Sequence, residues 1–238
     1  MNDALIQPTG ATLNVNVGLS ASVKSRHTLA LHHLWNARHA ARLCREREAD
    51  LTSLNYRLPE IELNGTAMVA VMSSVAFLEA LVNEVYLDTV DPALADRLKG
   101  MTEDAIAAMR DRWNATPSVE REGILEKYRI ALECAGKTME LGRDPAQSVK
   151  ILIDLRDALT HYKPEWQGDD TQLFAELKRR LPVNKRVAEL NPWFPHQALS
   201  AECAEWAWKN SVALAKEWWR DMGLVRDSFL NLKTRKTP

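Results

Sequence analysis

The chain has 238 residues, in which 31 lysines and arginines face 32 aspartates and glutamates, for a formal net charge of −1. This balance excludes a globally basic nucleic-acid clamp and a disordered acidic tail, and the length allows a core without disulfides or metal staples. Only nine glycines are present, which favours a helical protein. Three widely spaced cysteines exclude a disulfide framework and a paired Cys-x-x-Cys zinc site. They suit a reducing cytosol, and with no secretory signal visible at the N-terminus we expect a cytoplasmic protein.

The N-terminal region differs in pattern from the rest of the chain. Residues 12–19 alternate strictly between apolar and polar side chains, which predicts a strand. Residues 61–63, which precede an Asn-Gly pair, form the other plausible strand. We therefore expect an N-terminal arm over residues 1–23 and one helical domain over residues 24–238.

The remaining chain has helical periodicity. The predicted helices cover residues 24–50, 66–88, 93–115, 118–141, 145–162, 170–180 and 199–221. The 66–88 helix is the most apolar, but polar residues interrupt it and its uninterrupted start is shorter than the ~20 residues of a membrane span. We predict an all-α bundle with this helix at its buried centre, and no membrane association.

The end of the predicted 145–162 helix carries a group of charged side chains. Asp157 and His161 lie one turn apart, so the carboxylate is placed to hold the imidazole and to favour its charged form. Arg156 points ~140° away from His161, so either its side chain bends across or a second copy supplies the missing half. A simpler interpretation is that both residues hydrogen-bond the last helix carbonyls.

The spacing Arg156-x4-His161 resembles the R-x4-6-H signature of HEPN domains. These are all-α proteins, many of them metal-independent RNases of toxin–antitoxin, abortive-infection and CRISPR-linked systems. The resemblance covers residues 24–230, and its flanking segments are similar as well. These segments are Ile151–Ile153, Tyr162–Trp166, Phe77–Glu84 and the Trp193-Phe194-Pro195 sequence before the tryptophan-rich last helix. Two positions depart from the family pattern: Asp157 follows the arginine where asparagine is commonest, and Tyr162 directly follows the histidine.

The resemblance implies a HEPN-like bundle and a metal-independent endoribonuclease that leaves 2′,3′-cyclic phosphate ends. In this interpretation Arg156 and His161 are catalytic: the histidine takes the proton of a 2′-hydroxyl, and the guanidinium stabilises a charged phosphorane. Asp157 orients His161, and Tyr162 and Lys163 contact substrate. We expect RNA as substrate, a homodimer whose motif helices face one another, an antitoxin or defence-system partner, and no metal or cofactor. The alternative is a non-catalytic dimerisation or RNA-binding module that scaffolds a partner protein.

A positively charged segment follows the motif. Lys178, Arg179 and Arg180, with Lys185 and Arg186 after them, form a run without an acidic residue. This run could seat RNA phosphates, and we count Lys178, Arg179 and Arg180 among the candidate substrate contacts. A solvated helix end is an equally good interpretation.

Other polar and aromatic clusters have simpler explanations. The histidines at 27, 32, 33 and 39 lack a carboxylate or cysteine that would complete a metal set. Glu79, Asn83 and Glu84 with Asp154 and Asp157 could indicate the magnesium site of an all-α nucleotide pyrophosphatase, but only the two aspartates have the required i,i+3 spacing. We expect Glu79 instead to be a buried anchor that contacts a neighbouring helix or Arg156. The tryptophans of the last helix predict core or dimer packing rather than base stacking.

Overall fold

A computed structural model describes residues 27–90, 96–163, 172–187 and 193–225. The fold of these residues is all-α, as predicted. The helices are α1 (Ala30–Ser53), α2 (Ile61–Val90), α3 (Glu103–Asn114), α4 (Ile124–Cys134), α5 (Ala146–Thr160), α6 (Gln172–Arg180) and α7 (Ala201–Asp221). A short 3-10 turn precedes α4, and a π-type turn with an extended Phe194 precedes α7.

The long helix α2 is the centre of the bundle. It packs against α1, α7, α3, α5 and α4, which confirms its predicted central position. It begins earlier than predicted, because Ile61–Leu63 forms its first turn, so the strand predicted at residues 61–63 is wrong. The Glu60 carboxylate accepts a hydrogen bond from the Leu63 backbone N–H (2.7 Å) and so caps the helix, while Leu63 is fully buried. The strand predicted at residues 12–19 lies outside the described residues.

One face of α2 remains uncovered. Within the described part of the chain, α2 is the one helix long and apolar enough to cross a membrane, but 56% of its most apolar window is buried in the bundle. A core helix meets the same criterion. The uncovered face, here called the α2 stripe, consists of Ile61, Met68, Val69 and Met72, which are 37–91% exposed. The spacing of these four residues places their side chains on one side of the helix, so they form a continuous apolar surface.

The helix boundaries follow local capping. The α1 N-terminus is held by Glu84, whose Oε1 accepts hydrogen bonds from the backbone N–H groups of Leu29 (2.8 Å) and Ala30 (2.9 Å). The Thr102 side chain caps α3, so this helix begins ten residues after the predicted start at residue 93. Helix α4 is shorter than the predicted 118–141 helix and is followed by Gly136, whose φ of +69° suits glycine.

The tryptophans at the end of α7 belong to the core, as predicted. Trp218 is 1% exposed and Trp219 is 5% exposed. The Trp218 indole N–H donates to the Tyr128 carbonyl oxygen (3.2 Å), and the two rings meet edge to face with centroids 4.8 Å apart. The Tyr128 hydroxyl in turn donates to the Leu78 carbonyl oxygen (2.9 Å). This chain of contacts joins α7, α4 and α2.

Truncating Trp218 should therefore destabilise the whole bundle. We expect Trp218→Ala to lower the free energy of unfolding by about 3–5 kcal/mol, because it removes a large buried side chain and leaves a cavity. Trp35 is 56% exposed, so Trp35→Ala is the matched control and should cost less than half as much. Urea unfolding followed by circular dichroism measures both, and equal losses would contradict this account of the core.

Candidate functional site

The motif histidine lies at the C-terminal end of α5. The helix ends at Thr160, and His161 is its C-cap residue, with φ −106° and ψ 26°. Its backbone N–H donates to the Asp157 carbonyl oxygen (2.8 Å), and its side chain is exposed. The imidazole is therefore accessible to a ligand arriving from solvent.

Arg156 lies one turn before this end and is paired with its neighbour. Its Nε is 2.7 Å from Asp157 Oδ1 but makes no aligned hydrogen bond, so the contact is an ion pair. The Arg156 side chain is 29% exposed, and its two terminal nitrogens make no hydrogen bond to any described residue. Asp157 contacts Arg156 rather than the His161 ring, which differs from the expected orienting contact.

Two further predicted contacts lie beside His161. Tyr162 is 48% exposed, and its ring centroid is 5.7 Å from that of Phe194. Lys163 is exposed. The Thr160 hydroxyl donates to the Arg156 carbonyl oxygen (2.8 Å) and lies 3.7 Å from Met72 Sδ, so the end of α5 adjoins the α2 stripe.

The structure divides the basic run into two parts. Lys178, Arg179 and Arg180 are exposed at the end of α6, which packs against α5. Arg179 forms an ion pair with Glu176 (3.3 Å). Arg186, in contrast, is only 6% exposed, so it is not part of the solvated basic surface.

Acidic side chains also gather near the motif. Partial burial, together with the charges of Asp157 and Glu176, raises the pKa of Asp154, while Lys150 opposes this shift. Nevertheless, no group of three or more histidines, cysteines, aspartates or glutamates among the described residues is arranged to hold a metal ion.

The polar residues of α2 are engaged elsewhere. Lys127, which is 2% exposed, places its Nζ 3.1 Å from Asn83 Oδ1 and 3.7 Å from Glu79 Oε1, and Glu84 caps α1. Glu79 does contact a neighbouring helix, as predicted, but it is 45% exposed, so the prediction that it is buried is wrong. These α2 side chains contact Lys127, the start of α1 and Arg97, and they form no metal-binding group among the described residues, so the pyrophosphatase arrangement is not present there.

The histidines of α1 have structural contacts of their own. The His39 ring stacks on Trp35 with centroids 4.6 Å apart, and its Nδ1 lies 3.1 Å from Arg42 Nη2. This stacking agrees with the interpretation of these residues as partly exposed helix histidines.

Sequence reasoning missed two buried cations, Lys127 and Arg186. For Lys127 a signal existed, because Glu79 and Asn83 interrupt an otherwise apolar helix and therefore need a polar partner. For Arg186 there was none, because its partners lie far away in the sequence, at Tyr56 and Leu58.

Comparisons of the chain with protein-family models, with curated proteins and with solved structures found no match.

The raised pKa of Asp154 predicts how stability depends on pH. A carboxyl whose pKa is higher in the folded state binds more protons folded than unfolded, so its contribution to stability falls as pH rises through that range. We expect Asp154→Asn to raise the melting temperature at about pH 7 and to leave it nearly unchanged at about pH 3, where the wild-type carboxyl is protonated in both states. Glu122→Gln, at an exposed loop position, is the control and should show no such pH-dependent gain. A variant less stable than the wild type at pH 7 would contradict the inferred direction.

Proposed function

We propose that this chain is a metal-independent endoribonuclease of the HEPN type, acting in a toxin–antitoxin or anti-phage defence setting in the cytoplasm. The observation that carries the proposal is the accessible end of α5. There the His161 imidazole is exposed, and the two terminal nitrogens of Arg156 make no hydrogen bond to a described residue. The resemblance of the Arg156-x4-His161 spacing to the HEPN signature supports the assignment.

The proposed reaction needs only proton transfer and charge stabilisation. His161 takes the proton of a ribose 2′-hydroxyl, whose oxygen attacks the adjacent phosphorus. The guanidinium of Arg156 stabilises the negative charge that develops on the phosphorane oxygens. The bond from phosphorus to the 5′-oxygen then breaks, and that oxygen takes up a proton. The products are a 2′,3′-cyclic phosphate and a 5′-hydroxyl. In this proposal Tyr162, Lys163 and the cations of α6, all of which are exposed, contact the substrate backbone.

A homodimer would bring two copies of the motif together. By helical geometry, Arg156 and His161 point in different directions from the end of α5. In a cleft shared by two copies, the arginine of one copy and the histidine of the other could form the catalytic pair. The α2 stripe is a fitting interface, because it is apolar, exposed and adjoins the end of α5 through Met72 and Thr160.

Cleavage assays on the full chain test the chemistry. His161→Ala and Arg156→Ala should each lower the cleavage rate at least about a hundredfold, the size expected for loss of an acid–base group or an oxyanion stabiliser. Arg156→Lys should restore little, because an ammonium cannot reproduce the guanidinium fork. Activity should persist in excess EDTA and leave 2′,3′-cyclic phosphate ends.

The matched controls are His32→Ala and Arg121→Ala, which remove exposed side chains of the same types elsewhere in the bundle. Circular dichroism should show unchanged helix content for all of these variants. A requirement for added magnesium, or full activity in His161→Ala, would overturn the nuclease assignment.

The second candidate function is a non-catalytic RNA-binding or dimerisation module that scaffolds a partner protein such as an antitoxin. The observation in its favour is the ion pair of Arg156 with Asp157, which offsets the charge of the guanidinium. One RNA-binding and cleavage assay distinguishes the two functions. A module would bind RNA in a way that depends on Lys178, Arg179 and Arg180 while leaving the RNA intact.

The dimer proposal makes its own prediction. We expect a homodimer at micromolar concentration, and Met68→Lys with Met72→Lys should convert it to monomers, because two charges would then be buried in an apolar interface. Leu141→Lys, at an exposed loop position, is the control and should leave the dimer intact. Light scattering coupled to size exclusion measures the mass, and a wild-type monomer would contradict the proposal.

A further inference from the structure

Helix α1 exposes a tryptophan that is already part of a stack. Trp35 is 56% exposed, and apolar surface left in water forgoes the free energy that burial would supply. One face of its ring packs against the His39 imidazole, with centroids 4.6 Å apart and planes 10° from parallel. A stacked neighbour covers only one face of a planar ring, so the exposed area includes the opposite face. The Trp35 ring is therefore a flat apolar platform that is open to a second planar group.

Contacts along the same helix hold this stack in place. His39 Nδ1 lies 3.1 Å from Arg42 Nη2, and because a guanidinium only donates hydrogen bonds, Nδ1 is the acceptor. Arg42 Nη1 donates in turn to the Glu46 carboxylate (2.7 Å). Trp35, His39, Arg42 and Glu46 are spaced four, three and four residues apart, so they follow one face of α1. The orientation of the Trp35 ring is thus supported before any ligand arrives.

Further cations lie beside this stack, on α1 and on α7, which packs against α1. The Arg38 guanidinium lies over the Trp208 ring, 5.4 Å from its centroid. Arg45 of α1 and Lys209 of α7 both form ion pairs with Glu205. The stack and these cations form one surface, here called the α1–α7 surface, which consists of Trp35, Arg38, His39, Arg42, Arg45 and Lys209.

The charges of the α1–α7 surface favour an anionic ligand. It carries four cations, and among the described residues two carboxylates, Glu46 and Glu205, form ion pairs with them. The excess of positive charge is local, since the whole chain has a net charge of −1. The side chains of Arg42, Arg45 and Lys209 are 56–59% exposed. Ion pairs this exposed are weak, so phosphate groups can take the place of the carboxylates.

An aromatic platform beside exposed cations is the chemistry that recognises single-stranded nucleic acid. Each unpaired base has a flat face that stacks on an aromatic side chain, and each phosphate carries a negative charge for the cations. An acidic peptide would satisfy the cations but offers Trp35 no planar group. A duplex would also satisfy the cations, but its bases are already stacked on one another. A single strand alone uses both features.

We propose that the α1–α7 surface binds single-stranded RNA, with one base stacked on the free face of Trp35 and the neighbouring phosphates on Arg42 and Arg45. The choice of RNA over single-stranded DNA rests on the proposed nuclease function. The binding itself uses neither Arg156 nor His161. Such a surface holds an unpaired part of the substrate outside the cleavage site and so favours single-stranded RNA.

Fluorescence anisotropy on the full chain tests this proposal, with a labelled oligomer of 2′-O-methyluridine as the probe. The proposed reaction cannot cleave this probe, because its 2′-oxygen carries no proton. An abasic oligomer with the same backbone and length should bind at least about fivefold more weakly, since it keeps the charges and loses the stacking. Equal binding of the abasic oligomer, or equally effective competition by polyglutamate, would overturn the proposal.

Substitutions of Trp35 separate stacking from simple apolar contact. Trp35→Leu should weaken binding of the probe at least about fivefold, whereas Trp35→Phe should retain most of the affinity, because phenylalanine keeps an aromatic face. Tyr56→Leu removes an exposed aromatic ring in the α1–α2 loop and is the matched control, which should bind as the wild type does. Equal effects of Trp35→Leu and Tyr56→Leu would overturn the role of Trp35.

The dependence of binding on salt tests the cations separately. Arg42→Gln and Arg45→Gln should each reduce the slope of log affinity against log salt concentration by about 0.7, the value for one phosphate contact on a single strand. Trp35→Leu should leave this slope unchanged. Arg121→Gln removes an exposed arginine elsewhere in the bundle and is the control. Equal effects of Arg42→Gln, Arg45→Gln and Arg121→Gln would overturn the phosphate contacts.

The cations of α6 could also bind the probe, so the comparison is repeated with Lys178→Gln, Arg179→Gln and Arg180→Gln introduced together. In this background the preference for the uridine oligomer over the abasic oligomer should persist and should still depend on Trp35. Its loss would overturn the proposal. Because the probe is not cleaved, a failure of this binding and a failure of the proposed nuclease activity are separate results.

Discussion

The burial of α2 is the constraint on which the rest of the bundle depends. This helix is apolar around most of its circumference, so five other helices must pack against it to keep its side chains from water. Its few polar residues then fix where those helices lie. Glu84 holds the start of α1, Asn83 and Glu79 hold the buried Lys127 of α4, and Asp88 pairs with Arg97 before α3. A buried polar group needs a partner, and this requirement gives the packing its specificity.

Helix α5 shows how this packing leads to an accessible site. Val149, Leu152 and Leu155 are buried against the bundle, so the opposite face of the helix is left with charged side chains. Because regular helix ends at Thr160, His161 and Tyr162 project from the helix end instead of continuing the buried pattern. The Asp157 carboxylate on this face pairs with Arg156.

The fold was predictable from the sequence where the signal is local, and not where it depends on distant partners. The apolar length of α2 and the place of His161 at a helix end both follow from nearby residues. The strand predicted at residues 61–63 failed because three residues cannot distinguish a strand from a helix start, and the Glu60 cap decided the outcome. The burial of Arg186 could not be predicted, because its carbonyl partners precede it by 130 and 128 residues.

The segment before α7 contacts both the end of α5 and the loop after α6. The Tyr162 ring packs against Phe194 in this segment. A few residues later, the carbonyl oxygens of His196 and Leu199 accept hydrogen bonds from the Asn184 side chain (3.4 and 2.8 Å), and Asn184 Oδ1 accepts one from the Arg186 backbone N–H (3.1 Å). Tyr162, beside His161, and the loop that positions the buried Arg186 therefore both pack on the same short stretch of backbone, although the two residues belong to different parts of the sequence.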